Sequence, residues 1–268
     1  MITTTRPAEH AIPGQRWTVR KIMKLVALKW ALSCHKSTLW LWLCAADLSW
    51  KKPKKILAKA NTAKRLAYLA HFNTLYQEML QGQRTLIYID EAHLHQDMDV
   101  GSGWYFKGKV WRVPSTTPGL HAKINWYGAY DFTNGQALLW SYPQCNGEHT
   151  AEFLVRVADW AQGKPKPTII WDGSPVHRAR LAQDKAKELG IELIALPGYS
   201  PDLNPIEGLW KWMREEVTYA YCQPSLEALH AACREFLARV NQAPLAMVER
   251  LWPRWELDPE EEKLRVSA

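Results

Sequence analysis

Residues 167–210 read PTIIWDGSPVHRARLAQDKAKELGIELIALPGYSPDLNPIEGLW, the pattern of a strand, a helix, a strand and a helix start. Pro167–Trp171 is a short β-branched run of the kind buried on both faces of a sheet, and it ends at Asp172. His177–Leu189 has helical spacing and is stopped by Gly190, and Ile191–Leu196 is a second short apolar run. Two short strands joined through a helix make a parallel crossover unit. Tyr199–Asn204 then turns the chain into a final long helix opening at Pro205, with Glu207 in its first turn. Open α/β sheets hold their ligands at the carboxyl ends of the strands. Asp172 therefore stands where a site is expected, and Glu207, 35 positions later, returns to the same edge.

Upstream lie further strand signals. Thr85–Ile89 is β-branched and aromatic and ends at Asp90, and Lys109–Val113, Lys123–Phe132 and Ala137–Tyr142 read as strands. Pro118-Gly119 and Asn134-Gly135 separate them, the second marking a hairpin. Glu148–Ala161 has helical spacing, so the class is α/β, a mixed sheet flanked by helices. In the last helix Ile206, Leu209, Trp210, Met213 and Val217 form a core stripe. Thr62–Gln81 reads as a helix with Leu66, Leu69, Tyr76, Met79 and Leu80 in register. Trp17–Trp50 has the outline of a small all-α helix-turn-helix segment: Val19, Ile22, Met23, Val26 and Leu28 lie near one face, Ser33–Ser37 interrupt, and Thr38–Leu48 resume. The expected organisation is a partial helix-turn-helix domain over 1–60, a linker helix over 61–83, an α/β domain over 84–240 and a C-terminal tail over 241–268.

The chain has 268 residues, 47% hydrophobic and 23% charged, enough for one full core and a smaller second one, which excludes disorder and fibrous repeats. Its formal net charge is +7, unevenly spread. Residues 1–65 hold 14 Lys and Arg against Glu9 and Asp47, a local net of +12, while the remainder is net −5. Such an end fits a polyanionic partner. The five cysteines include no C-x-x-C pair, which argues against a disulfide framework and a zinc knuckle and for a reduced, cytoplasmic chain. The most apolar segment, Thr38–Ala46, is too short to span a bilayer, so no membrane partner is expected.

Asp90, Asp172 and Glu207 converging on one spot would repel one another unless a cation neutralised them. Mg²⁺ takes oxygen ligands, and two such ions can activate a water or 3′-hydroxyl and stabilise the leaving oxygen of an in-line displacement. Phosphodiester cleavage or strand transfer follows from that design. Each carboxylate also fits a plainer role: Asp90 and Asp172 as turn residues, Glu207 as part of a capping box with Asn204 as N-cap. Glu91 points away from Asp90 by strand alternation, which makes it a supporting or solvated group. Asp202 is an alternative third carboxylate in a turn setting, and His93 and His95 read as surface histidines.

The strings Tyr88-Ile-Asp-Glu-Ala-His-Leu-His95, Gly103-Trp104, Gly108, Trp171-Asp172 with His177, and Leu196-Pro-Gly-Tyr-Ser-Pro-Asp-Leu-Asn-Pro-Ile-Glu207-Gly-Leu-Trp210 together resemble the DDE transposases of bacterial insertion sequences. The branch they resemble is IS six-thirty of the mariner-type superfamily, strongly over Arg84–Val217 and more weakly over Trp17–Lys55. The resemblance implies an RNase H-like sheet preceded by a winged-helix-like segment, and a catalytic and metal-binding triad of Asp90, Asp172 and Glu207. It implies two Mg²⁺ ions, with Mn²⁺ substituting, and cut-and-paste movement into TA targets. It further implies double-stranded DNA partners, namely terminal inverted repeats and target DNA, and a homodimer in the DNA complex, at the bacterial nucleoid. Gly173 stands where relatives carry Asn, and Gly198 where a second Pro is common. Relatives also carry two helix-turn-helix units, and only 16 residues precede Trp17, so a separate N-terminal helix-turn-helix product is an expected partner.

The resemblance places His177 near the active site, contacting the scissile phosphate or orienting water, although His177 also begins a helix. Lys211 and Arg214, one and two turns beyond Glu207, lie within reach of a substrate phosphate or are solvated. Lys36, Ser37 and Thr38 would open the recognition helix, and Lys51, Lys52, Lys54 and Lys55 would grip the DNA backbone. Trp40 and Trp42 cannot both face one core. The competing readings are a truncated remnant acting only as a DNA-binding protein or repressor, and a host RNase H-like nuclease.

Overall fold

The computed structural model describes residues 1–51, 53, 56–115 and 121–265. The chain divides into two compact units, Met1–Lys55 and Ile56–Ala268.

The first unit holds α1 (Val19–Trp30) and α2 (Lys36–Ala45). Thr18 caps α1 by accepting from the Lys21 amide, and Ala31 ends it in the left-handed region. Ile12, Ile22, Leu25 and Leu39 are its buried apolar residues. Leu28, expected on the inner face of α1, is exposed, and Leu25 takes that place, since only positions three or four apart share a helix face. Trp40 and Trp42 are both exposed.

The second unit opens with α3 (Thr62–Leu80), continues through β1 (Thr85–His95), β2 (Lys123–Asp131), β3 (Gln136–Tyr142), α4 (Gly147–Trp160), β4 (Pro167–Trp171), α5 (Arg180–Glu188) and β5 (Glu192–Ala195), and closes with α6 (Ile206–Val217), α7 (Leu226–Val240), α8 (Pro244–Arg250) and α9 (Pro259–Lys263). The sheet order is β3-β2-β1-β4-β5. The first three strands form an antiparallel meander, while β4 and β5 run parallel to β1. This is the mixed sheet flanked by helices expected from the sequence.

Alternation along β1 sends its residues to two different cores. Leu86, Tyr88, Ala92 and Leu94 join the face packed by α3, α6 and α7, whereas Ile87 and Ile89 join the face packed by α4 and α5. The expected stripe on α6, Ile206, Leu209, Trp210, Met213 and Val217, is buried throughout. On α3 the buried face is Arg65, Tyr68, Phe72 and Leu75, and Leu66 and Leu80 of the expected stripe are exposed. Residues 241–268 contribute Met247 and Leu251 to the core, and Trp255 packs edge-on against Tyr76 and Phe72 of α3.

Two element boundaries and one whole strand differ most from expectation. β1 does not stop at Ile89 but runs to His95, because β2 pairs with it through His95↔Lys123. Lys109–Val113 forms no strand: no described strand lies beside it to share a ladder, and Val110 and Trp111 are exposed. α5 begins at Arg180, so His177 lies in the preceding turn and not in the helix.

Candidate active site

β1 and β4 are paired in parallel with Tyr88 opposite Ile170, so two residues further along Asp90 and Asp172 come level. Glu207 enters from the first turn of α6. All three carboxylates line one cleft of about 370 Å³, whose wall includes Gly173, Ser174 and the turn residues Leu196–Pro201 and Asn204. The three residues that the sequence reading brings together thus line one cleft.

Asp90 shares the α6 face of the sheet, and Trp210 donates from Nε1 to its Oδ2 at 3.2 Å. Gly128, the β2 residue opposite Asp90, leaves room for that indole: a methyl group there would lie 2.5 Å from the Trp210 ring. Burial pushes the Asp90 pKa up to about 8, reinforced by repulsion from Glu207, Glu91 and Asp172. Glu207 is also raised, first by burial and then by Asp172, with Arg214 opposing. Asp172 moves the other way. Its Oδ1 accepts from the Ser174 amide at 3.0 Å and from His177 Nδ1 at 2.7 Å, and the His177 bond is the main reason its pKa is lowered.

His177 lies flat against Trp171, with ring centroids 4.5 Å apart, and is 1% exposed. Its Nε2 donates to Glu91 Oε1 at 3.0 Å. Ionised carboxylates only accept hydrogen bonds, so a ring placed between two of them carries a proton on each nitrogen. Burial favours the neutral ring, but the bonds to Asp172 and Glu91 outweigh it and hold the pKa at about 10. Glu91 therefore points away from Asp90, as alternation requires, and ties strand β1 to Asp172 through the imidazolium.

The capping box proposed for Glu207 does not form. The helix starts at Ile206, and the Glu207 amide bonds the Asn204 carbonyl at 3.2 Å, not its side chain. Asn204 Oδ1 is buried without a hydrogen-bond partner among the described residues. Asp202 is no third carboxylate of the cleft, since both its oxygens are bonded by Arg65. His93 is exposed, and Arg214 donates to its carbonyl at 3.4 Å. Lys211 lies on the exposed side of α6, 3.7 Å from Glu215. Lys36, Ser37 and Thr38 open α2, with Ser37 bonded to the capping His35. Lys51 is exposed, and Lys52, Lys54 and Lys55 lie outside the described residues.

The cleft suits a hard divalent cation by its donor chemistry: it is lined by three carboxylates, one of them raised to about pKa 8 by burial and like charge, a repulsion that a cation would relieve. Among the described residues no group of three or more His, Cys, Asp and Glu side chains stands close enough together to hold a metal ion as it is, so the three carboxylates share the cleft without meeting at one point. Sequence reasoning missed three contributors: Glu91 as the second partner of His177, Trp210 as the donor to Asp90, and Arg65 behind Asp202. Alternation of β1 signals the first and the α6 stripe the second; nothing local signals the third.

A family model described as DDE superfamily endonuclease matches residues 85–229, more than half of the chain, and one described as winged helix-turn helix matches residues 13–70. A protein of insertion element IS630 from Shigella sonnei, described as an uncharacterized 39 kDa protein, is 24% identical over 242 residues, covering 89% of this chain and 68% of the relative. Among solved structures, the Mos1 strand transfer complex aligns with a TM-score of 0.63 at 16% identity, over 89% of this chain and 77% of that chain. The mariner Mos1 paired end complex with Mg aligns with a TM-score of 0.64 at 16% identity, over 94% and 78%. At these identities the likeness to Mos1 is one of fold. No described helix is long and apolar enough to cross a membrane.

Proposed function

Because the chain belongs to the DDE superfamily endonucleases, we propose that it is a transposase, cleaving the ends of an insertion element and joining them to target DNA. The observation that carries this reading is the shared cleft of Asp90, Asp172 and Glu207, each delivered by a different element. The triad would hold two Mg²⁺ ions, or Mn²⁺, whose chemistry is to activate the attacking water or 3′-hydroxyl and to neutralise charge on the leaving oxygen. Asp90 is fixed by the Trp210 indole, and Asp172 by His177 and the Ser174 amide, so that little reorganisation is left for the moment of reaction. His177 is a positioning group for Asp172 in this scheme, since its two N–H groups are already committed to carboxylates. Arg214, whose charge acts on Glu207, is the nearer cation for a substrate phosphate, and Lys211 the more distant one.

In the same reading Lys36, Ser37 and Thr38 enter the major groove, and Lys51 with Lys52, Lys54 and Lys55 holds phosphates. The DNA is the element's terminal inverted repeats and a double-stranded target. The working form is a homodimer on DNA at the nucleoid of the cytoplasm, and a separate N-terminal helix-turn-helix product joins it. Structures of Mos1, the fold relative, are described as strand transfer and paired end complexes, one with Mg. The test is a plasmid carrying the gene's flanking DNA, incubated with Mg²⁺ or Mn²⁺ and the purified chain beside Asp172→Asn. Metal-dependent nicking at defined ends, absent from the variant, is expected. Tight binding without cleavage, or cleavage of an RNA–DNA hybrid but not of DNA, would overturn the reading.

A further inference from the structure

Asp202 lies in the turn that delivers Glu207 to the cleft, five positions before it. Both of its oxygens are taken by one side chain from another element. Arg65 of α3 donates from Nη1 to Oδ1 at 3.0 Å and from Nη2 to Oδ2 at 2.8 Å, and its guanidinium is fully buried. The same guanidinium lies 3.1 Å from Glu262 Oε1, which Arg265 Nε also approaches at 2.9 Å. Arg254 Nη1 closes the group from the solvent side, 3.0 Å from Asp202 Oδ2.

A buried guanidinium is costly unless paired, and an apolar side chain at this place in α3 would fill the core without that cost. What the charge adds is geometry, because a two-pronged Arg–carboxylate contact fixes distance and orientation together. The link from Asp202 to Glu207 is stiff. Leu203, Asn204, Pro205 and Ile206 are all buried, Pro201 and Pro205 restrict the backbone on either side, and the Glu207 amide is bonded back to Asn204. A shift at Asp202 is therefore passed to the first turn of α6 rather than absorbed.

We propose that Arg65 is a positioning residue for Glu207: its hold on Asp202 fixes the Pro201–Pro205 turn and so sets where the Glu207 carboxylate stands relative to Asp90 and Asp172. This rests on the reading in which Glu207 helps hold a divalent ion. Partners that orient metal ligands are typically worth about ten- to a hundred-fold in metal affinity.

The test measures Mn²⁺ binding to the full chain by electron paramagnetic resonance of the free ion, with thermal melting of every variant. Asp202→Asn and Arg65→Lys are expected to stay folded and to bind Mn²⁺ at least about ten-fold more weakly. Phe72→Leu, a core change on the same helix, is expected to lower the melting temperature and leave Mn²⁺ affinity unchanged, which separates positioning from general destabilisation. On a Glu207→Gln background, Asp202→Asn is expected to cause no further loss, since the ligand it positions is gone. If Asp202→Asn does not fold, Arg254→Gln loosens the same carboxylate from its solvent side and carries the same expectation at smaller size. Wild-type affinity in the folded variants, or an equal loss with and without Glu207, overturns the positioning role alone. Failure of the wild-type chain to bind Mn²⁺ overturns the metal reading, and the positioning role with it.

Discussion

Glu91 and Asp172 leave His177 no acceptor role, and these two neighbours rather than the ordinary imidazole pKa set the protonation state of the ring. Replacing Glu91 by Gln removes one negative partner, so the His177 titration is expected to move down from about 10 by at least about one unit, read by NMR of the imidazole; an unmoved midpoint would show that Glu91 is not its partner in solution. The linkage has a definite sign. His177 is raised above its ordinary 6.5, so its contribution to stability is complete below 6.5 and is lost as the pH rises through about 10. Asp90 acts in the same direction over a lower range: raised from 3.8 to about 8 by burial and like charge, it weakens the fold increasingly as the pH rises across that interval. A cation in the cleft relieves that repulsion only where Asp90 is ionised. The rise in melting temperature on adding Mn²⁺ is thus expected to be larger at pH 9 than at pH 6, and an equal rise at both would contradict the placement of the ion beside Asp90. The triad was legible because its members lie in specific strings, Asp172 just past β4 and Glu207 in the first turn of α6, whereas Asp90 lies within β1 and not at the strand end where it was expected. Glu91–His177 was not, because its partners stand 86 positions apart and only the fold brings them together.

Among the elements, β4 was readable to the residue because a short β-branched run bounded by Lys166 and Asp172 has few alternatives. β1 was cut short at Ile89 because Glu91, His93 and His95 resemble a loop, although Ala92 and Leu94 keep the two-residue period that β2 pairing preserves. Lys109–Val113 shows the converse, a strand-like composition with no strand among the described residues to pair with. On α3 the buried face includes Arg65, a residue type that sequence patterning assigns to solvent, and that displaced the expected stripe. The close approach of α6 to the sheet depends on Gly128, opposite Asp90. Gly128→Ala is expected to cost about 1–3 kcal/mol by overpacking against Trp210, measured by denaturant unfolding, and to reduce DNA cleavage as the indole leaves Asp90. Unchanged stability would mean that α6 has slack at this crossing.

Across the whole molecule, charge and chemistry are segregated: the net +12 of residues 1–65 stands against net −5 in the remainder that carries the triad. Binding to element ends is accordingly expected to weaken steeply with salt. Lys36→Ala together with Lys51→Ala should flatten the slope of log Kobs against log salt by about two if each contacts one phosphate, whereas an unchanged slope would move the contact elsewhere. Composition made this division visible, but the packing of the C-terminal segment was beyond it: Trp255 shows its value only beside Phe72 and Tyr76 of α3, and Met247 and Leu251 only within the folded core. Three carboxylates acting through a divalent ion would carry the chemistry of the cleft, and replacing each in turn by Cys puts that to the test. Mn²⁺ accepts a thiolate more readily than Mg²⁺, the harder ion. Asp90→Cys, Asp172→Cys and Glu207→Cys are each expected to lose end cleavage in Mg²⁺ and to regain part of it in Mn²⁺; folded variants that cleave normally in Mg²⁺, or that stay equally inactive in both metals, would contradict it.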